Sequence, residues 1–268
     1  MGVRVTWKVV AVSVPGTAHI ASGHSCQDNC QARLHQVGSD QELLSIFASD
    51  GAGSASHGEQ GAILAIDACV AHLATKLVLP EFAINDELAV ECVIAVRECI
   101  YMAAERESLR ARDYACTFLG VISNDQATLV LQIGDGGIAL DSGHGLVVPV
   151  KPMSGEYANM TNFVTDENAI EVLATKVYPG RANRVAVFTD GMQRLALNMS
   201  TNTAHEPFFD PLFRVLSLAT SEQESQLEAA LSAFLNSEAV NERTDDDKTL
   251  VLAIDRERIC DDEETDYE

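Results

Sequence analysis

Apolar residues rich in β-branching run from 5 to 14 and again from 42 to 49, and each run stops at proline or glycine, the punctuation that closes a strand. After Asp50-Gly51-Ala52-Gly53-Ser54 the pattern changes. Ile63, Ile66, Val70, Leu73 and Leu77 recur at helical spacing, and Ser56 with Glu59 spells a capping box, which predicts a long amphipathic helix closed by Pro80. Asn85 is placed to cap a second helix reaching about Arg112, with Ala89, Cys92, Val96, Cys99 and Ala103 on one stripe. The two should pair as a hairpin.

From Tyr114 to about Val150 the text is strand-like again, broken at Ser123-Asn124-Asp125, Asp135-Gly136-Gly137 and Asp141-Ser142-Gly143. Links this short imply antiparallel neighbours. Further strands are expected at 169 to 177 and 184 to 189, helices at about 209 to 219 and 222 to 236, and a last strand at 248 to 255. Helices thus arrive in pairs between groups of strands, which disfavours a doubly wound parallel sheet and suits an α+β fold of antiparallel sheets covered by helices. No internal repeat is visible. Residues 151 to 183 are Gly/Asn/Thr-rich and read as a loop that could lie over a site as a flap.

With 268 residues and 47% apolar content the chain can bury a substantial core, and one unit over residues 1–258 is expected, followed by an acidic, disordered tail at 259–268. Forty acidic against eighteen basic residues give a formal charge of -22. Such a charge repels nucleic acid and anionic membrane and favours cations, although it also simply keeps a protein dispersed. The seven cysteines at 26, 30, 69, 92, 99, 116 and 260 are scattered through apolar patterns and read as reduced core residues. Cys26 and Cys30 form a C-x3-C pair with no second pair at zinc-like spacing. No stretch is long and apolar enough for a membrane span, so a cytoplasmic, monomeric protein is expected. Met1-Gly2-Val3-Arg4-Val5-Thr6 fits the loose acylation pattern, a match short enough to arise by chance.

Three apolar runs end in Asp-Gly, at Asp50-Gly51, Asp135-Gly136 and Asp190-Gly191, and Asp245-Asp246-Asp247 precedes the last strand. Strand ends hold a carboxylate rigidly, and the adjoining glycine leaves room for an ion to approach the backbone. Asp-Gly is also the commonest hairpin turn, and Asp135 suits that reading best; Asp50 and Asp190 suit it less, because each leads from a strand into a helix. Carboxylates brought together repel one another unless a cation joins them, so the set points to a hard-oxygen metal site.

In order, Gly23-His24-Ser25-Cys26-Gln27-Asp28, Asp50-Gly51-Ala52-Gly53-Ser54, Ile133-Gly134-Asp135, Phe188-Thr189-Asp190-Gly191 and Asp246-Asp247-Lys248-Thr249 resemble the successive motifs of the metal-dependent serine/threonine protein phosphatase 2C family, in its bacterial-type branch with a Cys-Gln-Asp first motif. The likeness spans residues 5 to 255, and the five motifs in order carry it. It implies a four-layer αββα sandwich, with two antiparallel sheets face to face and a helix pair outside each. The implied activity is hydrolysis of phosphoserine or phosphothreonine on proteins, with two or three Mn2+ or Mg2+ ions and a hydroxide drawn from water bridging them. Carried over by position, Asp50 would bridge two ions, the Gly51 carbonyl would join one, and Asp190 and Asp246 would hold the other. Asp28 matches the family's N-terminal acidic position, and Asp135 a residue linked to a third ion.

The chain departs from the family at several places. Gln27 stands where many members have Glu, Ala52 stands where some have a histidine, and Thr17 through Gln27 contains no Lys or Arg to clamp phosphate. His19 and His24 lie in that segment; His19 is a candidate phosphate contact or acid, and His57 a substitute for the lost histidine. These losses keep two other readings open: a phosphatase-like module that binds without turnover, and an enzyme acting on a small phosphorylated molecule. A P-loop is unsupported, since Gly134-Asp135-Gly136-Gly137 lacks the Gly-Lys-[Ser/Thr] that must follow, and no G-x-S-x-G elbow suggests a serine hydrolase.

Overall fold

A computed structural model of the chain describes residues 6–37, 41–151 and 161–256. The first strand, β1 (Trp7–Val14), is followed by a short helix, α1 (Thr17–Ser22), then β2 (Asp28–Val37) and β3 (Gln41–Asp50). The helical hairpin α2 (Gly58–Lys76) and α3 (Asp86–Arg106) leads through a 3-10 turn (Ala111–Tyr114) to β4 (Phe118–Ser123) and β5 (Ala127–Ile133). Then come β6 (Gly137–Asp141), β7 (Leu146–Val147), α4 (Ala169–Val172), β8 (Ala174–Pro179) and β9 (Arg184–Phe188). After a 3-10 turn (Asp190–Met192), α5 (Gln193–Ala196) and the small hairpin β10 (Leu197–Asn198) and β11 (Thr203–Ala204), the chain ends in α6 (Glu206–Leu218), α7 (Ser221–Leu235), α8 (Glu238–Asn241) and β12 (Lys248–Asp255).

The strands form two antiparallel five-stranded sheets, ordered β1-β12-β9-β6-β7 and β2-β3-β4-β5-β8. Leu44, Ile46, Leu119 and Val121 from one sheet meet Ile138, Val187, Val251 and Ala253 from the other in a buried layer between them. The α2–α3 pair covers the second sheet through Ala65, Cys69, Val93 and Val96 against Phe47 and Phe118. The α6–α7 pair covers the first through Phe209, Phe213, Leu231 and Leu235. This is the four-layer αββα sandwich, and it explains why β4 and β12 are buried along their whole length and β5 from Thr128 onward: each has apolar neighbours on both faces.

Several local expectations need correction. The Ser56/Glu59 capping box does not form; Ser56 Oγ bonds His57 Nδ1, and Glu59 accepts from Ser25 across the segment junction. Of the expected α2 stripe, Ile66, Val70 and Leu73 are buried in the core and Leu77 packs against it, joined by the small Ala62, Ala65 and Cys69, whereas Ile63 is exposed. Asn85 does cap α3, accepting from Leu88 N at 3.0 Å, yet α3 ends at Arg106 and not near Arg112. The strand expected from 169 begins only at Ala174, behind α4, so 151 to 183 is not one continuous loop. Strand β2 and helix α1 carried no readable signal. The strand β2 is polar and half exposed, and α1 buries no residue. Residues 152–160, Met1 to Val5 with most of the acylation pattern, and the acidic stretch from 257 with Cys260 lie outside the described residues. The other six cysteines are free.

Candidate active site

The topology brings the five candidate carboxylates to one rim. Asp28 opens β2 and Asp50 closes β3, and the antiparallel register sets the two directly opposite. In the other sheet β12 and β6 flank β9, with Phe188 paired to both Leu250 and Gly137. Asp190 follows β9, Asp246 precedes β12, and Asp135 precedes β6, so the three emerge at the same ends of adjacent strands. Asp135 is therefore not in a hairpin turn: β5 and β6 belong to different sheets, and the link carrying Asp135 crosses from one to the other. A short link signals an antiparallel neighbour only when both strands share a sheet.

Asp50, Gly51, Asp135, Asp190 and Asp246 line one cleft of about 230 Å³, together with His19 and Gln27. Among the described residues no Lys or Arg lines it. Burial raises the Asp50 carboxyl well above its usual range, and repulsion from Asp28, Asp190 and Asp246 adds to this. Asp190 is raised by burial, then by Asp135 and Asp246. Asp28 is raised by burial against the hydroxyls of Thr189 and Thr249, which donate to its Oδ2 at 2.7 and 2.8 Å and favour the ionised form. Its other oxygen, Oδ1, is buried without a hydrogen-bond partner. A cluster of carboxylates without a cation, one of them holding an unpartnered buried oxygen, fits a hard divalent ion. Among the described residues no three His, Cys, Asp or Glu side chains already form a coordination group; the carboxylates ring the cleft and do not focus on one point.

Glycine is required at two of the motif positions, Gly51 and Gly191. A Cβ on Gly191 would lie 2.0 Å from the Asp247 carbonyl oxygen, and one on Gly51 would lie 2.3 Å from the Gly58 carbonyl carbon. Both are backbone approaches that no side chain can yield to.

Sequence reasoning missed Asp247. It is 2% exposed, with Gly16 N donating to its Oδ1 and Gln27 N to its Oδ2, each at 2.6 Å. His19 Nδ1 stands 2.8 Å from the same Oδ2, close but without hydrogen-bond alignment. Asp247 thus ties the first motif's segment to the start of β12 and lies beside the ring of His19 at the cleft. The doubled Asp246-Asp247 was the available signal, since one of two adjacent carboxylates before a strand must point inward. The remaining histidines are elsewhere: His24 bonds Ser22 Oγ and is exposed, and His57 packs on the Tyr114 ring at 5.1 Å, neither lining the cleft. Thr189 and Thr249, the residues that hold Asp28, were also overlooked, although each sits inside a quoted motif.

The protein phosphatase 2C family model matches residues 15–236. The chain is 51% identical over 250 residues to serine/threonine-protein phosphatase 3 of Escherichia coli strain K12, covering 93% of this chain and 99% of that one. Among solved structures, the catalytic domain of the serine/threonine protein phosphatase PstP in complex with two manganese ions superposes with a TM-score of 0.60 at 17% identity, covering 92% of this chain and 97% of that one. The Staphylococcus aureus serine/threonine phosphatase Stp1 superposes with a TM-score of 0.55 at 12% identity, over 95% and 97%. At such identities the structural likeness speaks for the fold.

Proposed function

The chain belongs to the protein phosphatase 2C family, and from that premise we propose that the carboxylate-ringed cleft is the active centre of a metal-dependent serine/threonine protein phosphatase acting on phosphorylated proteins. The observation that carries the reading is the convergence of Asp50, Asp135, Asp190 and Asp246, from both sheets, on one cleft lined by no Lys or Arg among the described residues. The catalytic unit is residues 1–258. No helix among the described residues is long and apolar enough to cross a membrane; the proposed setting is a cytoplasmic monomer, kept from nucleic acid and anionic membrane by its charge of -22.

Asp50, the Gly51 carbonyl, Asp190 and Asp246 would hold two Mn2+ or Mg2+ ions, with Asp28 supporting them and Asp135 serving a third. When bound, the ions activate water as the nucleophile and neutralise the phosphoryl oxygens. The protein's own part is positional. Thr189 and Thr249 position Asp28 beside Asp50 and partly offset the burial that raises its carboxyl, and Thr117 Oγ1 accepts from Asp50 N at 2.9 Å, fixing the end of β3. Asp247 lies on the Nδ1 side of His19, so Nε2 is the nitrogen left for the substrate, either on a phosphoryl oxygen or donating a proton to the departing seryl oxygen. His19 supplies the hydrogen-bonding capacity that the segment 17 to 27, without Lys or Arg, otherwise lacks.

The test is Mn2+- or Mg2+-dependent phosphate release from phosphoserine peptides, set beside small phosphometabolites, with wild type and the Asp50→Asn and Asp190→Asn variants. Turnover of peptides that both variants abolish is expected. Metal-independent turnover, or activity surviving both substitutions, would overturn the assignment.

A further inference from the structure

A second, larger cavity of about 830 Å³ adjoins the cleft and shares Asp135, Thr161, Asp190 and Asp246 with it. Its remaining wall includes Lys151, Arg194 and Arg243. In a chain with eighteen basic residues against forty acidic ones, three cations in one cavity are an uneven use of a scarce charge. None of the three has an ion-pair or side-chain hydrogen-bond partner among the described residues, a state they share with surface cations such as Arg33 and Arg214; what sets the three apart is that they line one cavity. With Asp245 beside them and Asp135, Asp190 and Asp246 shared with the cleft, the cavity sets four acids against the three cations, so it turns net positive only once divalent ions neutralise the shared aspartates.

Their place in the chain is as telling as their charge. Arg194 follows Asp190 by four residues, on α5, and Arg243 precedes Asp246 by three. Those separations limit the Cα distances to at most roughly 11–14 Å. The stretch carrying Arg194 is anchored, because Gln193 Nε2 donates to the Asp135 carbonyl oxygen. The turns that present Asp190 and Asp246 therefore also present Arg194 and Arg243, at a distance that a short extended peptide spans, and Lys151 joins them from another part of the cavity wall.

We infer that Lys151, Arg194 and Arg243 form a second anion subsite that takes a carboxylate or a second phosphate on the substrate two to four residues from the phosphoresidue in the catalytic cleft. The inference rests on the phosphatase reading, in which bound ions offset the carboxylates that would otherwise repel an anionic peptide. A cleft of about 230 Å³ has room for the phosphoryl group and its ions, and the adjoining cavity, within the ~300–1,000 Å³ usual for ligand sites, has room for flanking residues. Exposed arginines there would grip an anion by charge-assisted hydrogen bonds weakened by salt.

The experiment compares phosphoserine peptides that differ only at those flanking positions, carrying alanine, glutamate or a second phosphoserine. Each is measured for kcat and KM with Mn2+, and for binding by fluorescence anisotropy to the Asp190→Asn variant. Wild type is expected to favour the anionic peptides by about tenfold or more in kcat/KM, mostly through KM, with the preference shrinking as salt rises. In Arg194→Ala/Arg243→Ala, and further in the charge-reversed Arg194→Glu/Arg243→Glu, the ratio of anionic to alanine peptides should fall toward one, whatever happens to the absolute rate. Glutamate and phosphoserine peptides responding alike identify the subsite as a general anion site, and a response to phosphoserine alone assigns it to phosphate. An equal kcat/KM for all three peptides in wild type, or a preference that survives the double substitution, would overturn the subsite. Absence of turnover on every peptide would count against the phosphatase reading, and the anisotropy ratios would still decide the subsite.

Discussion

Replacing Asp190 by asparagine should stabilise the metal-free protein while abolishing its activity. The Asp190 carboxyl is raised from its ordinary 3.8 to about 6, first by burial and then by Asp135 and Asp246. Two pH units at ~1.4 kcal/mol each set a ceiling of roughly 3 kcal/mol on what ionising Asp190 costs the folded state. Asparagine keeps the shape and still loses some solvation, so a gain of about 1–2 kcal/mol is expected, or roughly 3–6 °C in Tm for a domain of this size. The sign follows from linkage. With the folded pKa above the unfolded one, the group's contribution is intact below about pH 4 and is lost as pH rises through about 6. In chelator the variant should therefore match wild type near pH 4 and exceed it at pH 7.5. Saturating Mn2+ should invert the order, because at a hundredfold excess over Kd it adds about 2.7 kcal/mol to wild type and less to the variant. Thermal denaturation at both pH values, with chelator and with Mn2+, reads all four cases. Asp190→Asn melting below wild type in chelator at pH 7.5, or an equal rise for both proteins in Mn2+, would refute the electrostatic account of the cleft.

Gly191→Ala should lose about 1–3 kcal/mol of stability, because the new Cβ meets the Asp247 carbonyl at 2.0 Å and the backbone must move; denaturant unfolding checks it. His19→Ala should slow a phosphoserine peptide by about 100-fold but p-nitrophenyl phosphate much less, since that leaving group departs without a proton; equal losses on both would exclude His19 as the acid. Asp247→Ala should be among the more destabilising changes near the site, at roughly 2–4 kcal/mol, because it strands the N–H groups of Gly16 and Gln27; urea titration reads it. Burial works to raise Asp141, but Arg184 and the N–H groups of Gly143 and His144 outweigh it and hold the carboxyl below its usual range. Its contribution is thus present above about pH 4 and lost as pH falls through the depressed value, and Arg184→Gln should flatten the acid limb of the stability profile.

How far the sequence carried the fold can be followed in particular elements. The helix pairs and β12 were legible because they bury apolar residues at a regular period, and the layers follow from helices arriving in pairs between strands. The strand β2 was not, because it is half exposed and mostly polar; its place is fixed by ten paired positions along β3, a non-local fact with no local periodicity. Asp-Gly at the ends of apolar runs marked the carboxylates, since strand ends and close backbone approach leave composition traces. The crossing at Asp135 was misread as a hairpin, because a short link looks the same whether the next strand joins the same sheet or the facing one. Asp247, Thr189 and Thr249 stayed hidden for another reason: which of two adjacent aspartates turns inward, and which threonine meets Asp28, is decided only when the sheets dock.

That docking links the site to the fold. Asp28 and Asp50 belong to one sheet, and Asp190 and Asp246 flank strands of the other, so an ion held by both sets would join the two sheets at the rim. Two hydroxyls already do so without metal: Thr189 and Thr249 reach across to Asp28, while Ser13 Oγ and Thr249 Oγ1 meet at 2.7 Å beneath them. The same rim is where like charges oppose the packing, because Asp28 and Asp50 face each other in the ladder and Asp190 adds its field from the opposite sheet. The threonine stitches and the carboxylate repulsion therefore act on the same coordinate, the gap between the sheets at the site. A divalent ion both removes the repulsion and adds a bridge, so its binding should tighten the rim more than any part of the helical layers, and amide exchange at Asp50, Thr189 and Thr249 should slow on Mn2+ addition while the α2–α3 hairpin changes least.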